Sequence, residues 1–235
     1  MKINRKSMYK KIKKYYKKIR SFGKKLKYNY IYDRYKNYTM VPKEVFISNL
    51  QIAEQVLHVD GCIVECGVWK GGMVAGIADI LGPLRNYYLF DSFQGLPDAT
   101  NVDGEAAISW QNNKNSESYY NNCSASKQWA IEAMNITGEK KVNLVEGWFT
   151  ETLPHFKNDE KIALLRLDGD WYESTMTCLD NLFDRVANNG IIIIDDYYTW
   201  DGCSRAVHDF LSKKTSSHRI STFHNVCTIK ITDNF

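Results

Sequence analysis

The chain has 235 residues, 44% hydrophobic and 25% charged, with a formal net charge of +4. That length suits one α/β domain with extensions, and no apolar run nears the roughly 20 residues of a membrane span or forms a secretory signal. The charge is uneven: residues 1–37 hold 15 Lys and Arg against one acid, Asp33, whereas the rest has 16 bases against 26 acids.

The basic extension over 1–37 separates in composition from a main domain over 38–235. Like-charge blocks are commonly solvated tails. Such a tail suits packing on a neighbour in a homo-oligomer, or a peripheral contact with an anionic membrane surface. No nucleic acid partner is expected, since that role would leave the acidic strand ends described below without a purpose.

Tyr38 to Pro42 make an extended entry, and Lys43 to His58 read as an amphipathic helix. A strand runs over Gly61 to Gly67, a helix over Met73 to Leu81, and a second strand, Tyr87 to Asp91, ends in acid. Pro97 to Asn122 is long and polar, as lids and binding loops are. A helix from Lys127 to Met134 leads to strand three, Val142 to Glu146. Strand four is Ile162 to Asp168, followed by a helix over Thr175 to Val186 and a stop at Gly190. Strand five is Ile191 to Asp195, Cys203 to Leu211 is helical, and Arg219 to Phe223 with Val226 to Ile231 form a closing hairpin. Strands alternating with helices imply an α/β fold with a mostly parallel, doubly wound sheet and a C-terminal antiparallel hairpin. Cys62, Cys66, Cys123, Cys178, Cys203 and Cys227 show no metal-ligand spacing, so reduced thiols and a cytoplasmic location are expected.

Strands four and five are near-continuous apolar runs, as parallel strands covered on both faces are. Their carboxyl ends are where open parallel sheets bind ligands. Asp168, Asp195 and Asp196 therefore meet at one crevice, where three carboxylates repel unless a cation lies between them. Either Asp168 or Asp195 alone would pass as a turn or cap residue. The oxygen-only set favours Mg2+, with Ca2+ or Mn2+ as alternatives, and no nearby His speaks for zinc. Arg166 shares a strand face with Asp168 by period-two alternation, so an ion pair with a site carboxylate is expected.

The first strand-turn-helix, Glu65-Cys66-Gly67-Val68-Trp69-Lys70-Gly71-Gly72, is neither a strict dinucleotide fingerprint nor a P-loop. Its glycines alone would merely make a tight crossover. Glu65 at the strand tip suits a cationic cofactor, and Asp91 stands where ribose hydroxyls are held in such folds. S-adenosylmethionine has both parts, with its adenosine facing Glu146 and the adjoining Gly147. Trp148, Phe149, Trp171, Tyr172, Tyr197, Tyr198 and Trp200 offer flat rings for a sugar pocket, with core packing as the equal alternative for Trp148 and Phe149.

Five ordered stretches resemble the macrocin O-methyltransferase (TylF/MycF-like) family. They are Val64 to Gly72, Phe90 to Pro97, Glu146 to Pro154, Leu164 to Thr175, and Ile194 to Tyr197 with Gly202 to Val207. The resemblance implies a class I methyltransferase form of the Rossmann-like fold. It further implies Mg2+- and S-adenosylmethionine-dependent methyl transfer to a hydroxyl of a small sugar-containing acceptor. By this likeness Glu65, Gly67, Asp91 and Ser92 touch the cofactor, while Asp168, Asp195 and Asp196 hold the metal. Members of the family place a candidate catalytic His after the Leu-Pro motif; here no His lies between Pro97 and Gly147. Asp168 and Asp196 are therefore the candidate catalytic residues. A nicotinamide-dependent sugar oxidoreductase and a non-catalytic protein of the same fold are the competing readings.

Overall fold

The computed structural model describes residues 23–138 and 141–232. Seven strands form one sheet: β1 (Cys62–Cys66), β2 (Tyr87–Asp91), β3 (Val142–Glu146), β4 (Ile162–Leu167), β5 (Val186–Ile194), β6 (Ile220–Phe223) and β7 (Val226–Lys230). Their order is β3-β2-β1-β4-β5-β7-β6, with β1 to β5 parallel and β7 antiparallel to both its neighbours. The connection from β1 runs to one side and that from β4 to the other, so the chain switches direction between these two strands.

Alternation along the strands divides the core into two layers. Ile63, Leu89, Leu164, Ile191 and Ile193 face one layer, with α1 (residues 23–35), α2 (Lys43–Ala53), α3 (Gly72–Leu81) and α5 (Lys127–Thr137). Val64, Phe90, Leu165, Leu167, Ile192 and Ile194 face the other, against α7 (Tyr172–Leu182) and α8 (Asp201–Lys213). The two remaining helices, α4 (Glu105–Asn112) and α6 (Phe149–Thr152), lie at the carboxyl end of the sheet, where α4 contributes Trp110 and α6 Phe149 and Thr150 to the cavity wall.

The boundaries of β2 and β3 match those read from the sequence, because each run ends in an acid where the backbone leaves the ladder. Other elements differ. Gly190 does not stop a helix: α7 ends at Leu182, and Gly190 lies inside β5. Val186 pairs with Ile162 and Ile191 with Leu164, so β5 bulges over Ala187 to Gly190. A Cβ at Gly190 would lie 2.8 Å from the Ala187 carbonyl and 3.1 Å from that of Ala163.

The polar stretch from Pro97 is not loop throughout, since it contains α4. Thr100 and Asp103 form a capping box, α4 follows Gly104, and the Gln111 amide ties Ala99, Pro97 and Asn122 together. Residues 23–35 of the basic extension also have a place in the fold, since α1 buries Tyr28, Ile31 and Tyr35 in the first core layer. Residues 1–22, with the most basic stretch, lie outside the described residues. The closing hairpin turns at His224 and Asn225, both with positive φ (46° and 65°), the twist a two-residue connection requires.

Candidate active site

The switch between β1 and β4 sets Glu65 directly opposite Arg166 in the strand register. Both side chains are buried, and Arg166 Nη1 donates to Glu65 Oε1 at 2.9 Å and to Asp168 Oδ2 at 2.7 Å. Its Nη2 lies 2.6 Å from Asp195 Oδ1, an ion pair without the alignment of a hydrogen bond. Nε donates to Asn49 of α2 at 3.3 Å. The expected pairing of Arg166 with a site carboxylate is thus present three times over.

Above this strut the acids gather. Asp168, Asp195 and Asp196 each offer a carboxylate oxygen, all within 4.8 Å of one another. Asp196 Oδ2 accepts the Asp170 N–H at 2.9 Å, and Asp170 Oδ1 accepts the Trp200 indole N–H at 2.9 Å. Three carboxylates, those of Glu65, Asp168 and Asp195, therefore surround one guanidinium, and Asp170 and Asp196 bond to other partners beside them.

Burial is the largest cause of their altered acidity. It pushes Glu65 up to about 8 against the pull of Arg166. Asp170 is pushed up to about 8 by burial and by the charge of Asp168, and Asp195 to about 6 by burial against Arg166. Asp196 is held well above the usual carboxylate range by burial and then by Asp170. Burial also opposes the charge on Arg166, but Asp168, Asp195 and Glu65 outweigh it and hold the guanidinium protonated.

These groups line a cavity of about 520 Å3 over the carboxyl ends of β1, β2 and β4. Gly67 borders it with φ +86°, and a Cβ there would lie 1.6 Å from the Asp168 carbonyl, so only glycine lets β1 and β4 approach this closely. Asp91 Oδ2 accepts the N–H groups of Val68 and Trp69 at 2.6 and 2.8 Å, and its Oδ1 accepts that of Phe93 at 2.6 Å. Ser92 and Gly147 also line the cavity, Gly147 donating its N–H to the Asp91 carbonyl at 3.0 Å.

Glu146 is the exception among the acids. It is not in the cavity wall; its half-exposed carboxylate reaches outward to Lys127 of α5 at 2.5 Å. Edge strand β3 has solvent and α5 beside its tip, and the lysine supplies a nearer partner than the cavity.

One feature of the site has no sequence forecast, and a second has one only in part, since the sequence places Trp171 and Trp200 near a sugar pocket but not Trp110. Asp170 adopts φ +60°, a conformation with no one-dimensional signature beyond the Asp-Gly-Asp spacing. The other is an aromatic wall: Trp110 from α4 packs edge-on against Trp171 and Trp200, with centroids 6.1 and 5.8 Å away. Trp171 is buried and donates to the Pro97 carbonyl at 2.9 Å, fixing that wall to the residues after β2.

A sheet of this order, with a ligand cavity at the switch and an acid ending β2, defines a class I methyltransferase. The chain belongs to the macrocin-O-methyltransferase (TylF) family, whose sequence profile matches residues 3–229, and it is accordingly an O-methyltransferase. It is 32% identical over 192 residues to the 8-demethyl-8-(2,3-dimethoxy-alpha-L-rhamnosyl)-tetracenomycin-C 4'-O-methyltransferase of Streptomyces olivaceus, covering 74% of this chain and 68% of that protein. It is 35% identical over 173 residues to the demethyldecarbamoylnovobiocin O-methyltransferase of Streptomyces niveus, covering 69% and 63%. The solved O-methyltransferase NovP superposes with a TM-score of 0.70 at 29% identity, over 83% of this chain and 82% of that one.

Proposed function

We propose that the chain transfers a methyl group from S-adenosylmethionine to a sugar hydroxyl of a small glycosylated molecule, with Mg2+ held by Asp168, Asp195 and Asp196. The carrying observation is the trio of carboxylate oxygens in the same cavity as a buried, unpartnered oxygen, Oε2 of Glu65. A buried acceptor without a donor is costly, and a cationic amino group supplies that donor. The printed activity of the tetracenomycin relative, on a rhamnosyl 4'-hydroxyl, supports a sugar acceptor.

The trio fits a hard divalent cation. Its donors are all oxygen, and three carboxylates face a single Arg166 with Asp196 close by, leaving an excess of negative charge that a dication offsets. When bound, the ion supplies Lewis acidity that lowers the pKa of the acceptor hydroxyl. The bound donor supplies an electrophilic methyl group, so most of the protein's contribution is positioning, worth about 7–11 kcal/mol in well-oriented cases.

Glu65 takes the donor's ammonium, and the remaining lone pair of Asp91, on Oδ1, takes a ribose hydroxyl. Gly67, Ser92 and Gly147 give the close walls of this subsite. Trp110 and Trp200, backed by the buried Trp171, shield the reacting end from water and offer ring faces to the sugar. Arg166 fixes the position of Asp168 through a 2.7 Å hydrogen bond to its Oδ2. Asp196 and Asp170, linked through the Asp170 N–H, have raised proton affinity and together accept the hydroxyl proton.

Calorimetry with S-adenosylmethionine and with NADH, each with and without Mg2+, tests this reading. Binding of the sulfonium donor alone supports it, and binding of NADH in its place overturns it. Full turnover on glycosides in excess chelator would remove the metal from the mechanism.

A further inference from the structure

The outer face of α1 has no role in the chemistry above, and its composition is unusual. Tyr28, Ile31 and Tyr35 turn inward, whereas Leu26 and Tyr30 are 55% and 68% exposed. At 3.6 residues per turn, Leu26 and Tyr30 sit half a turn away from Tyr28 and next to each other as an i, i+4 pair. They form an apolar ridge flanked by the exposed Lys25 and Lys27. In the sequence before it, Met8, Ile12, Tyr15, Ile19 and Phe22 recur at spacings of three and four residues, with Lys and Arg filling most intervening positions.

We propose that this ridge docks the enzyme on an anionic lipid surface. Apolar side chains bordered by lysines suit the boundary between acyl chains and negatively charged headgroups, and the charge is complementary. Residues 1–37 carry 15 bases against one acid, a density that repels a second copy of itself. A nucleic acid would use the charge and stack on Tyr30, but it has no use for the exposed Leu26. The residues that follow, Tyr38 to Pro42, form part of the cavity wall, so the docking helix is joined directly to the active site.

The test is co-sedimentation of the full chain with phosphatidylcholine vesicles, with and without about one-third phosphatidylglycerol, at low and high salt. The double variant L26E/Y30E is run alongside. Binding is expected only with phosphatidylglycerol, weakening as salt rises. The variant should lose at least about tenfold in vesicle affinity, the scale expected for two interfacial apolar side chains. Its melting temperature and methyl-transfer rate on a soluble acceptor should stay unchanged. Three outcomes would overturn the proposal: equal binding to neutral vesicles, unaltered binding by the variant, or an oligomer in the wild type that the variant dissociates. So would binding to single-stranded DNA as tight as to vesicles and equally indifferent to the variant.

Discussion

Replacing Arg166 by Met removes the one cation that faces Glu65, Asp168 and Asp195 together among the described residues. The methionine fills much of the volume, so the change is mainly electrostatic. Arg166 is 1% exposed, and its nitrogens lie 2.6–2.9 Å from the three carboxylates. Breaking a buried pair by removing one partner costs about 3–5 kcal/mol, because the remaining charge stays buried and uncompensated. For a domain of this size each kcal/mol moves the melting temperature by about 2–4 °C, giving a fall of about 6–20 °C at pH 7. Scanning calorimetry of the ligand-free protein measures it. Lower pH should narrow the gap, since protonating the stranded acids removes the penalty. Saturating Mg2+ should raise the variant's midpoint more than the wild type's. A loss below about 1 kcal/mol at pH 7, typical of a solvated surface pair, would refute the idea that this guanidinium holds the acids.

Glu65→Gln should alter the pH dependence of stability. The folded pKa of Glu65 is raised from 4.5 to about 8, so its contribution is complete below pH 4.5 and is lost as pH rises through 8. Ligand-free wild type should therefore lose stability between about pH 5 and 8, and the variant should show a flatter profile in denaturant titrations while binding S-adenosylmethionine more weakly. Asp195→Asn should abolish metal-dependent turnover and leave donor affinity nearly intact by calorimetry. Gly67→Ala places a Cβ 1.6 Å from the Asp168 carbonyl, so β1 and β4 must part. A cost of about 2–4 kcal/mol in urea unfolding is expected, with at least about tenfold weaker donor binding.

The parts of the fold read most directly from sequence are those set by one-dimensional pattern. Apolar runs ending in acid mark β2, β3, β4 and β5, and period two places Arg166 beside Asp168. Parallel neighbours then bring Asp168 and Asp195 together, since Leu167 pairs with Ile194 one residue earlier. Features that depend on a partner distant in sequence are hidden. Gly190 looks like a stop until Ala163 of β4 is known to lie against the bulge. The inner stripe of α1 is masked because Lys24, Lys25 and Lys27 crowd Tyr28, although Tyr28, Ile31 and Tyr35 keep helical spacing. Glu146 ends its strand in acid as Asp91 does, yet Lys127, 19 residues earlier, draws it outward.

The arrangement at the switch also explains why one ion pair lies a step deeper than the acids that face the cavity. Glu65 and Arg166 are opposed within the ladder, whereas Asp168 and Asp195 stand just beyond the ends of β4 and β5. A guanidinium held from below by Glu65 and Asn49 can reach both outer acids only by standing between them. It therefore sets their separation as well as their charge. A neutral strut of the same length would keep the backbone in place but let Asp195 take up a proton, as burial already urges it toward about 6. Arg166 thus acts in the site as a positioning residue: it spaces Asp168 and Asp195 for a cation and keeps Asp195 ionised at neutral pH.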